Sequence, residues 1–537
     1  MEQFVSTIAL IGIVIVVASL LSSAIEKASI PLVAAFLALG AALGPWGLDL
    51  INITLASPSL AVLSTLALAL VLFSDAVTIN ARDVWARRRL AWRLLGPGTV
   101  APAALIAVAA RFILDLPTAY AAILGAALAS TDPVLLRSVF RSKALPSGSR
   151  IALRMETGMN DVVLLPIVVL CMLLLESDMP GHTLSAADMS RHAVGLFLLG
   201  PGLGALIGWL GILALARVRQ RIGLRRDYES LYALGLAFTS YAAAETVGGS
   251  GFLAAFAAGF MVALQDVELC DCFLEFGEAT GEMLLLLTFV ALGTSLIWEG
   301  LGALSLRTLA FTVVALLART VVLFPVLKHV GLDQRDRRLI ALFGPRGLSS
   351  LLLVLLPIFA GIPNAEQLFT VASLVVLCSV VLHGGGIAYF LRRAERQAAA
   401  ASVRPAAPTH APLPILDGDD VPETIEIPEL KALLASGQSP VLLDVRRDRN
   451  LRADPEQAAK AVRLDLDDPV RSALREAVPK DAIVIAYCAC PAEETSSRVV
   501  HALRRAGWTK ARALVGGWAA WKAAGLPIES SAEAVGI

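Results

Sequence analysis

The chain has 537 residues, of which 57% are hydrophobic and 17% are charged, and its formal net charge at pH 7 is zero. A mean hydropathy of +0.72 excludes an ordinary soluble globular protein and indicates one that crosses a membrane several times. The hydropathy makes the lipid bilayer the expected partner. The zero net charge gives no indication of nucleic-acid binding, so we expect no nucleic acid as a partner.

The apolar residues are concentrated in the first three quarters of the chain. Residues 1–396 are apolar with short charged interruptions and predict a transmembrane domain, whereas residues 421–537 have the composition of a soluble domain. Residues 397–420 are rich in Ala and Pro, which is typical of a flexible linker. We therefore expect two domains joined by a tether.

Thirteen apolar segments are long enough, or nearly long enough, to span a bilayer as helices, for which about 20 residues are needed. They are 5–25, 31–46, 59–78, 95–114, 118–138, 151–175, 193–216, 228–246, 250–265, 283–298, 304–327, 337–359 and 366–391. An odd number of spans puts the two termini on opposite sides of the membrane. The predicted fold class is an all-α polytopic membrane domain of about 13 transmembrane helices, followed by a small α/β domain.

Basic residues in the connecting loops predict the orientation. Loops after odd-numbered spans carry 23 Lys and Arg residues, and loops after even-numbered spans carry 3. Because basic loops stay in the cytosol, we expect an N-terminus outside, a cytosolic C-terminal domain and a bacterial-type inner membrane. The predicted cytosolic loop 266–282 is acidic, which fits either a solvated connector or a vestibule that attracts cations.

Two proline-containing motifs predict helix breaks inside the membrane. Pro133 follows Asp132 in the fifth span, and Pro345 lies in Gly344-Pro-Arg-Gly347 of the twelfth span. Proline lacks an N–H and biases the preceding residue away from helical geometry, so each helix should be interrupted there. Paired breaks in two halves are typical of transporters with inverted repeats and a cation site at the midplane, and two ordinary proline kinks are the alternative.

The sixth span carries two carboxylates that should have different roles. Glu156 and Asn160 are four residues apart and share a helix face, and Asp161 lies about 100° further round. Arg319 is the lone charge in the middle of the eleventh span (LLARTVVL), so we expect it to pair with Glu156 while Asn160 bridges the pair by hydrogen bonds. Asp161 then has no dedicated cation and is the group able to exchange a proton for a metal ion.

These motifs, in this order, resemble those of the sodium/proton exchangers of the cation/proton antiporter superfamily, and of its NhaP-like members in particular. The likeness includes residues 241–260 and covers nearly all of residues 1–392. It implies an inverted-repeat fold with a core and a dimerisation domain, which works by alternating access as a homodimer. It also implies that the protein needs no cofactor besides the transported cation and proton. A role in pH homeostasis is implied as well.

The resemblance implies a role for each matching residue. Asp161 matches the cation- and proton-binding carboxylate, Thr131 and Asp132 match ligands in the unwound helix, and Thr157 matches a hydroxyl ligand. A transported Na⁺ is therefore expected at Asp161 and Asp132. Glu156, Asn160 and Arg319 match a structural triad, and Pro133, Pro345 and Arg346 support the breaks. Asp75 stands beside the position of a family glutamate, and its role as a ligand is open.

The Asn160-Asp161 pair, in place of two aspartates, implies electroneutral one-for-one exchange in this family. Na⁺ is the expected cation, and Li⁺ or K⁺ remains open. Two other classes of function are possible for such a membrane domain, and both are disfavoured. A channel is disfavoured by the broken helices and the titrating carboxylate, and a sulfurtransferase-linked transporter of a sulfur anion is disfavoured because buried carboxylates repel anions.

The C-terminal domain has a different pattern. Strand-like segments at 441–446 and 483–488 alternate with helical ones and resemble a rhodanese domain over about a hundred residues. The resemblance implies that Cys488 is the persulfide-forming nucleophile and that Asp444 and Arg446 are structural. Amides at a helix N-terminus can stabilise a thiolate.

The loop after Cys488 departs from the rhodanese pattern. It contains a second thiol, Cys490, which could act as a resolving cysteine, and two acidic residues, Glu493 and Glu494, which oppose thiolate formation. A sulfurtransferase, a redox or sulfur sensor and an inert interaction module all remain open for this domain.

Overall fold

The computed structural model describes residues 32–79, 87–141, 145–177, 185–221, 226–265, 271–330, 332–393, 424–436, 438–446, 454–464, 469–489 and 494–530, with a few single residues between and before these ranges. The chain separates into two compact units, Met1–Arg404 and Pro405–Ile537. Most of the first predicted span, the predicted linker 397–420, Cys270 and Cys490 lie outside the described residues.

The described part of the first unit is helical. Its helices are α1 Leu32–Leu43, α2 Pro58–Thr78, α3 Arg88–Leu95, α4 Pro97–Ile113, α5 Thr118–Ala129, α6 Pro133–Arg141, α7 Ser147–Ser177, α8 Ala186–Val194, α9 Gly200–Arg221, α10 Arg226–Thr246, α11 Gly251–Leu264, α12 Asp271–Gly293, α13 Glu299–Gly302, α14 Leu306–Val326, α15 Gln334–Leu342, α16 Leu348–Phe359 and α17 Ala365–Ser379. Five-residue π turns, Gly195–Leu199 and Val380–Gly384, follow α8 and α17.

Several of these helices are long and apolar enough to cross a bilayer. Among the described residues there are seven such helices, a bent pair formed by Met283–Gly293 and Leu296–Gly302, and three shorter apolar helices. The membrane-type architecture agrees with the composition, and the number of thirteen spans remains a prediction from the sequence.

Two interruptions divide apolar helices in the interior. Residues 130–132 separate α5 from α6, and residues 343–347 separate α15 from α16. Ser130 is extended, with φ −60° and ψ 139°, because Pro133 cannot donate the hydrogen bond that would continue α5. The backbone N–H of Asp132 donates to the carbonyl of Pro345 at 3.0 Å, so the two interruptions lie against each other. We call the place where they meet the crossing.

Small residues allow helices of the membrane unit to approach closely. A β-carbon at Gly204 of α9 would overlap the backbone of Ala254 in α11, and one at Gly293 of α12 would lie 2.6 Å from the carbonyl oxygen of Leu37 in α1. Where apolar lipid removes most of the hydrophobic driving force between helices, close backbone packing supplies the attraction instead. These contacts hold α9 against α11 and α12 against α1.

The second unit is a small α/β domain. Its parallel five-stranded sheet has the order β1-β6-β5-β2-β4, and β3 pairs with β7 in a separate antiparallel ribbon. The strands are β1 Thr424–Ile425, β2 Val441–Asp444, β3 Glu456–Ala458, β4 Val462–Arg463, β5 Val484–Tyr487, β6 Ala511–Leu514 and β7 Ile528–Ser530. The helices are α18 Ile427–Ala435, α19 Pro469–Arg475, α20 Glu494–Arg505 and α21 Gly517–Ala523.

The central strands β2 and β5 fall inside the predicted segments 441–446 and 483–488, and both end one or two residues early. After each of these strands the chain leaves the sheet at its carboxyl edge. Cys488 therefore stands just beyond β5, at the edge where sites of parallel sheets are found.

Candidate functional site

The site lies where the interruption after α5 meets α7. Asp161, which is buried, accepts a hydrogen bond at its Oδ1 from the hydroxyl of Ser130 at 2.5 Å. A hydroxyl donating to a carboxylate is among the stronger hydrogen bonds, and it favours the ionised carboxylate. Asp161 is thus held against the unwound segment.

The neighbouring Asn160 is attached to the same segment. Its Nδ2 donates to the hydroxyl of Thr131 at 2.8 Å, whereas its Oδ1 is buried without a partner among the described atoms. We expected Asn160 to bridge the Glu156–Arg319 pair, but it lies one turn further along α7, where residues 130–132 face it. Thr157 donates its hydroxyl to the carbonyl of Leu153, within its own helix, at 2.9 Å.

Glu156 and Arg319 form a two-pronged ion pair. Nε and Nη2 of Arg319 each donate to one carboxylate oxygen of Glu156 at 2.6 Å, and both side chains are buried. Nη1 of Arg319 donates to the carbonyl of Ala341, the penultimate residue of α15. The pair therefore ties α7, α14 and α15 together. Removing either partner would leave an uncompensated buried charge.

Asp132 joins the two interrupted helices. Its Oδ1 accepts the N–H of Val134 at the start of α6, and its Oδ2 accepts the N–H of Leu348 at the start of α16, both at 2.8 Å. Two helix N-termini, each with a partial positive charge, thus face one carboxylate. In this geometry both oxygens have backbone donors, and the side chain acts as a cap for α6 and α16.

Arg346 complements Asp132 at the opposite helix end. It is fully buried, and its Nη1 donates to the carbonyls of Ala129 and Ser130, where α5 ends with a partial negative charge. Its backbone N–H donates to the hydroxyl of Ser379 at 2.7 Å, and Ser379 also contacts Nδ1 of His383 at 3.1 Å. The guanidinium holds the C-terminal end of α5 in place.

The glycines of the second interruption make room for these charged groups. A β-carbon at Gly347 would overlap the carboxylate of Asp132, and one at Gly344 would lie 2.5 Å from Nη1 of Arg319. The sequence Gly344-Pro345-Arg346-Gly347 therefore supplies two close approaches as well as a helix break. No side chain larger than hydrogen fits at either end without displacing a buried charge.

Asp75 lies near the site on α2. A β-carbon at Gly158 would lie 3.8 Å from the β-carbon of Asp75, so the half-buried Asp75 faces the turn of α7 that precedes Asp161. The structure thus brings Asp75 to the same helix turn, although the described hydrogen bonds do not join it to Asp161.

The charges at the crossing are unequal in number. In the described residues of the membrane unit, the buried carboxylates are Asp132, Glu156 and Asp161, and the buried guanidiniums are Arg319 and Arg346. Glu156 has Arg319, and Asp132 has two helix N-termini, whereas Asp161 accepts its side-chain hydrogen bond from the neutral Ser130. Among the described residues of the membrane unit, the buried carboxylates thus exceed the buried guanidiniums by one. Where the structure is described, no three His, Cys, Asp or Glu side chains cluster as ligands for a tightly bound metal.

Several of these partners were missing from the sequence-based prediction. Ser130 contacts Asp161 directly, and Ser379 holds the backbone of Arg346. Ser130 precedes Thr131 in the interruption and could have been inferred from that position. Ser379 carries no signal of its own, because hydroxyls are common within apolar helices.

In the second unit, Cys488 lies at the carboxyl end of β5. Its side chain is buried, with 2% of its surface exposed, and its Sγ lies 3.5 Å from the hydroxyl of Ser496 in the first turn of α20. The carbonyl of Cys488 accepts the N–H of Trp518 at 2.8 Å, which fixes the backbone beside it. Cys490 and Glu493, which the sequence places in the following loop, are outside the described residues.

A buried network supports the end of β2. Arg446 donates through Nε and Nη2 to the carboxylate of Asp444 and through Nη1 and Nη2 to the carbonyls of Asp454 and Glu456. The hydroxyl of Tyr487 donates to Asp444 at 3.1 Å, and burial raises the pKa of this phenol. These contacts order the sheet edge beside Cys488, and none of them reaches the thiol.

A polar contact lies at the rim of that network. Burial opposes ionisation of Asp454, but hydrogen bonds from Lys522 and Trp518 outweigh it and lower the pKa of Asp454. The guanidinium of Arg446 lies 4.5 Å from the ring centre of Trp518, which is within the range of a cation–π contact.

Residues 12–393 match the family profile described as "Sodium/hydrogen exchanger, transmembrane". The chain belongs to the sodium/hydrogen exchanger family. Residues 426–524 match the rhodanese-like domain profile, so this exchanger carries a rhodanese-like domain at its C-terminal end.

Two curated relatives support the assignment, and one solved structure has a similar fold. The chain is 28% identical over 394 residues to the K(+)/H(+) antiporter NhaP of Alkalimonas amylolytica, covering 72% of this chain and 66% of the relative. It is 25% identical over 398 residues to the K(+)/H(+) antiporter NhaP2 of Shewanella sp. (strain MR-4), covering 72% and 67%. The fold resembles that of the sodium proton antiporter MjNhaP1 from Methanocaldococcus jannaschii, with a TM-score of 0.58, 21% identity and coverage of 71% of this chain and 100% of that chain.

Proposed function

We propose that this exchanger moves one monovalent cation in exchange for one proton, and that both bind in turn to Asp161. The observation that carries the proposal is the unequal number of buried charges: three carboxylates and two guanidiniums in the described membrane unit. One proton or one monovalent cation at Asp161 brings the crossing to neutrality. A divalent cation, or a proton and a cation together, would leave an excess positive charge.

The excess negative charge also supports alternating access. An unbalanced carboxylate in a medium of low dielectric constant is costly, so a site with neither proton nor cation resists moving through the apolar part of the membrane. The loaded site, with either ligand, carries no such penalty. Exchange follows because only the two loaded forms cross. The net negative surroundings of the unloaded site also disfavour a sulfur anion as the substrate.

The ligands would come from the interruption after α5. Asp161 supplies the charge, and the hydroxyls of Ser130 and Thr131, which already contact Asp161 and Asn160, are close enough to contribute oxygen ligands. Asp132 acts at one remove, because its oxygens hold the starts of α6 and α16. We thus assign Asp132 to positioning the interruptions and the hydroxyls beside it.

The transported cation is K⁺ or Na⁺ in this proposal. The two curated relatives are named for K⁺ exchange and the solved structure for Na⁺ exchange. Both ions suit oxygen ligands. The loop charges support an inner-membrane protein with an external N-terminus and a cytosolic C-terminal domain, and the family likeness supports a homodimer that serves pH homeostasis.

Proton movement in proteoliposomes tests the assignment. Purified protein is reconstituted, a pH gradient is imposed, and lumenal pH is followed on addition of K⁺, Na⁺ or Li⁺, with the membrane voltage set by an ionophore. We expect cation-dependent proton movement whose initial rate is the same at 0 and −100 mV, because a one-for-one exchange carries no net charge. A rate that changes severalfold with voltage would refute the one-for-one stoichiometry.

Variants localise the exchange to the site. Asp161→Asn keeps the shape of the side chain and removes its exchangeable charge, so we expect no cation-dependent signal. Asp115→Asn is the matched control, because Asp115 is an exposed carboxylate in a loop and its loss should leave the rate unchanged. Retained exchange in Asp161→Asn at every pH would exclude Asp161 as the carrier.

For the rhodanese-like domain we propose thiol-based sulfur transfer at Cys488. Its position at the end of β5, beside Ser496 and the first turn of α20, supports a thiolate that attacks the outer sulfur of thiosulfate. Sulfite leaves with the bonding electron pair, and the persulfide then gives its outer sulfur to cyanide as thiocyanate. Thiocyanate formation by Cys488→Ser and by Cys490→Ser distinguishes the two thiols, and we expect only Cys488→Ser to abolish it.

The two activities should be separable. The Ala/Pro-rich sequence before the rhodanese-like domain favours weak mechanical coupling. Deleting residues 400–537 should therefore leave cation-dependent proton movement measurable. A truncated protein that is folded by size-exclusion chromatography but inactive would show that the domain takes part in transport.

A further inference from the structure

The short helix α3 presents a basic and aromatic surface to its surroundings. Arg88 and Arg89 lie four and three residues before Trp92, so all three share the exposed side of the helix, and Arg87 precedes them. Trp92 has 76% of its surface exposed, and the nearby Trp85 has 75%. Within the described residues no carboxylate forms an ion pair with these exposed arginines. We call Trp85, Arg87, Arg88, Arg89 and Trp92 the α3 surface.

The opposite side of α3 is anchored in the membrane domain. Leu90 and Leu94 are buried in an apolar cluster with Leu153 of α7 and Leu323 of α14. Arg93, also on α3, donates through Nη1 to the carbonyl of Val326 at 3.1 Å, at the last residue of α14. The helix therefore cannot turn to bury Trp92 without breaking these contacts, and its exposed side is a stable feature of the fold.

The position of α3 identifies what the surface meets. Gly96 follows it and α4 begins at Pro97, so α3 lies at the membrane end of a spanning helix, level with the end of α14. Tryptophan is enriched at the boundary between acyl chains and headgroups, and clustered arginines beside a span attract anionic lipids. Two exposed indoles beside three exposed guanidiniums combine both properties.

We propose that the α3 surface binds the headgroup of an anionic phospholipid. The phosphate and a second anionic or hydroxyl group of the lipid would contact Arg88 and Arg89, while the indoles of Trp85 and Trp92 lie at the level of the glycerol and upper acyl chain. With the orientation proposed above, this leaflet faces the cytosol. Binding does not depend on the exchange activity and can be measured without it.

The helix α3 packs against the two helices that carry Glu156 and Arg319. Leu153, which packs with α3, lies three residues before Glu156 on α7. The carbonyl of Leu153 accepts the hydrogen bond of the Thr157 hydroxyl. Arg93 meets the end of α14, the helix that carries Arg319. A lipid held on the α3 surface would therefore contact a helix that packs against both helices of the Glu156–Arg319 pair.

Lipid retention by the full-length protein tests the proposal. Detergent-purified protein is titrated with phosphatidylglycerol or with phosphatidylcholine, and bound lipid is measured by native mass spectrometry. Arg88→Gln with Arg89→Gln should weaken phosphatidylglycerol binding by about tenfold or more, because each basic residue beside an anionic lipid contributes roughly a factor of five. Phosphatidylcholine binding should change less than twofold.

The matched control removes two exposed arginines from a helix that lacks exposed tryptophans. Arg335→Gln with Arg338→Gln on α15 lowers the net charge equally. An equal loss of phosphatidylglycerol in both double variants would overturn the proposal, since it would reduce the effect to net charge. So would unchanged binding in the α3 double variant. Trp92→Ala should lower retention of both lipids, and displacement of phosphatidylglycerol by millimolar inorganic phosphate would also contradict a lipid site.

Discussion

The hydroxyl of Ser130 donates to Oδ1 of Asp161 at 2.5 Å, across 31 positions of sequence. Through this contact the segment between α5 and α6 meets Asp161 of α7. Because the bond favours the ionised carboxylate, it helps Asp161 to accept a cation in competition with protons. The hydroxyl is therefore expected to influence cation affinity as well as geometry.

Ser130→Ala should raise the cation concentration for half-maximal exchange about three- to tenfold, which corresponds to the net value of about 1 kcal/mol for one such hydrogen bond. The rise should be larger at lower pH, where protons compete more strongly. Ser130→Thr keeps the hydroxyl and serves as the control. Exchange kinetics at several pH values provide the measurement, and identical half-saturation in the wild type and Ser130→Ala would show that the contact has no part in binding.

Gly347→Ala should abolish exchange and lower thermal stability, because its methyl group would overlap the carboxylate of Asp132 and separate the starts of α6 and α16. Gly235→Ala is the control, since a β-carbon there meets no atom within 4 Å. It lies within α10, where Ala is favoured over Gly by about 1 kcal/mol, so stability should stay equal or rise. Melting temperatures and flux measured in parallel separate the two outcomes.

Arg319→Ala and Glu156→Gln should each destabilise the membrane domain by about 3–5 kcal/mol, because each leaves one buried charge or donor set without its partner. The double variant should regain part of this loss, since it removes both charges together. Thermal unfolding in detergent, read by tryptophan fluorescence, gives the comparison. A single variant as stable as the parent, or a double variant equal to the sum of the two losses, would argue against a coupled pair.

Cys488 should react slowly with a bulky maleimide in the folded protein and rapidly after unfolding, because its side chain is 2% exposed. A small reagent such as iodoacetamide should react faster, and Ser496→Ala should slow that reaction severalfold if the hydroxyl stabilises the thiolate. Mass spectrometry of the peptide containing Cys488 reports the labelling. Rapid modification by both reagents would mean that the thiol is open to solvent.

The polar parts of the site could be found in the sequence because charge inside an apolar segment is conspicuous. Asp132, Glu156, Asp161 and Arg319 stand out for this reason, and Pro133 locates the first interruption beside them. The partner of Glu156 could be narrowed to Arg319 because the middle of the eleventh span carries no other charge. The domain arrangement follows from composition in the same way.

The sequence by itself determined which groups are charged, which helices must break and which part of the chain enters the membrane, since polarity and proline act locally. Only the tertiary structure decided that Asp132 caps both α6 and α16, that Asn160 contacts Thr131 rather than the ion pair, and that α3 turns Arg88, Arg89 and Trp92 outward. The reason is physical: a hydrogen bond depends on distance and angle to within tenths of an ångström. Segments more than 200 residues apart, such as Asp132 and Leu348, reach that geometry only through the packing of the whole domain.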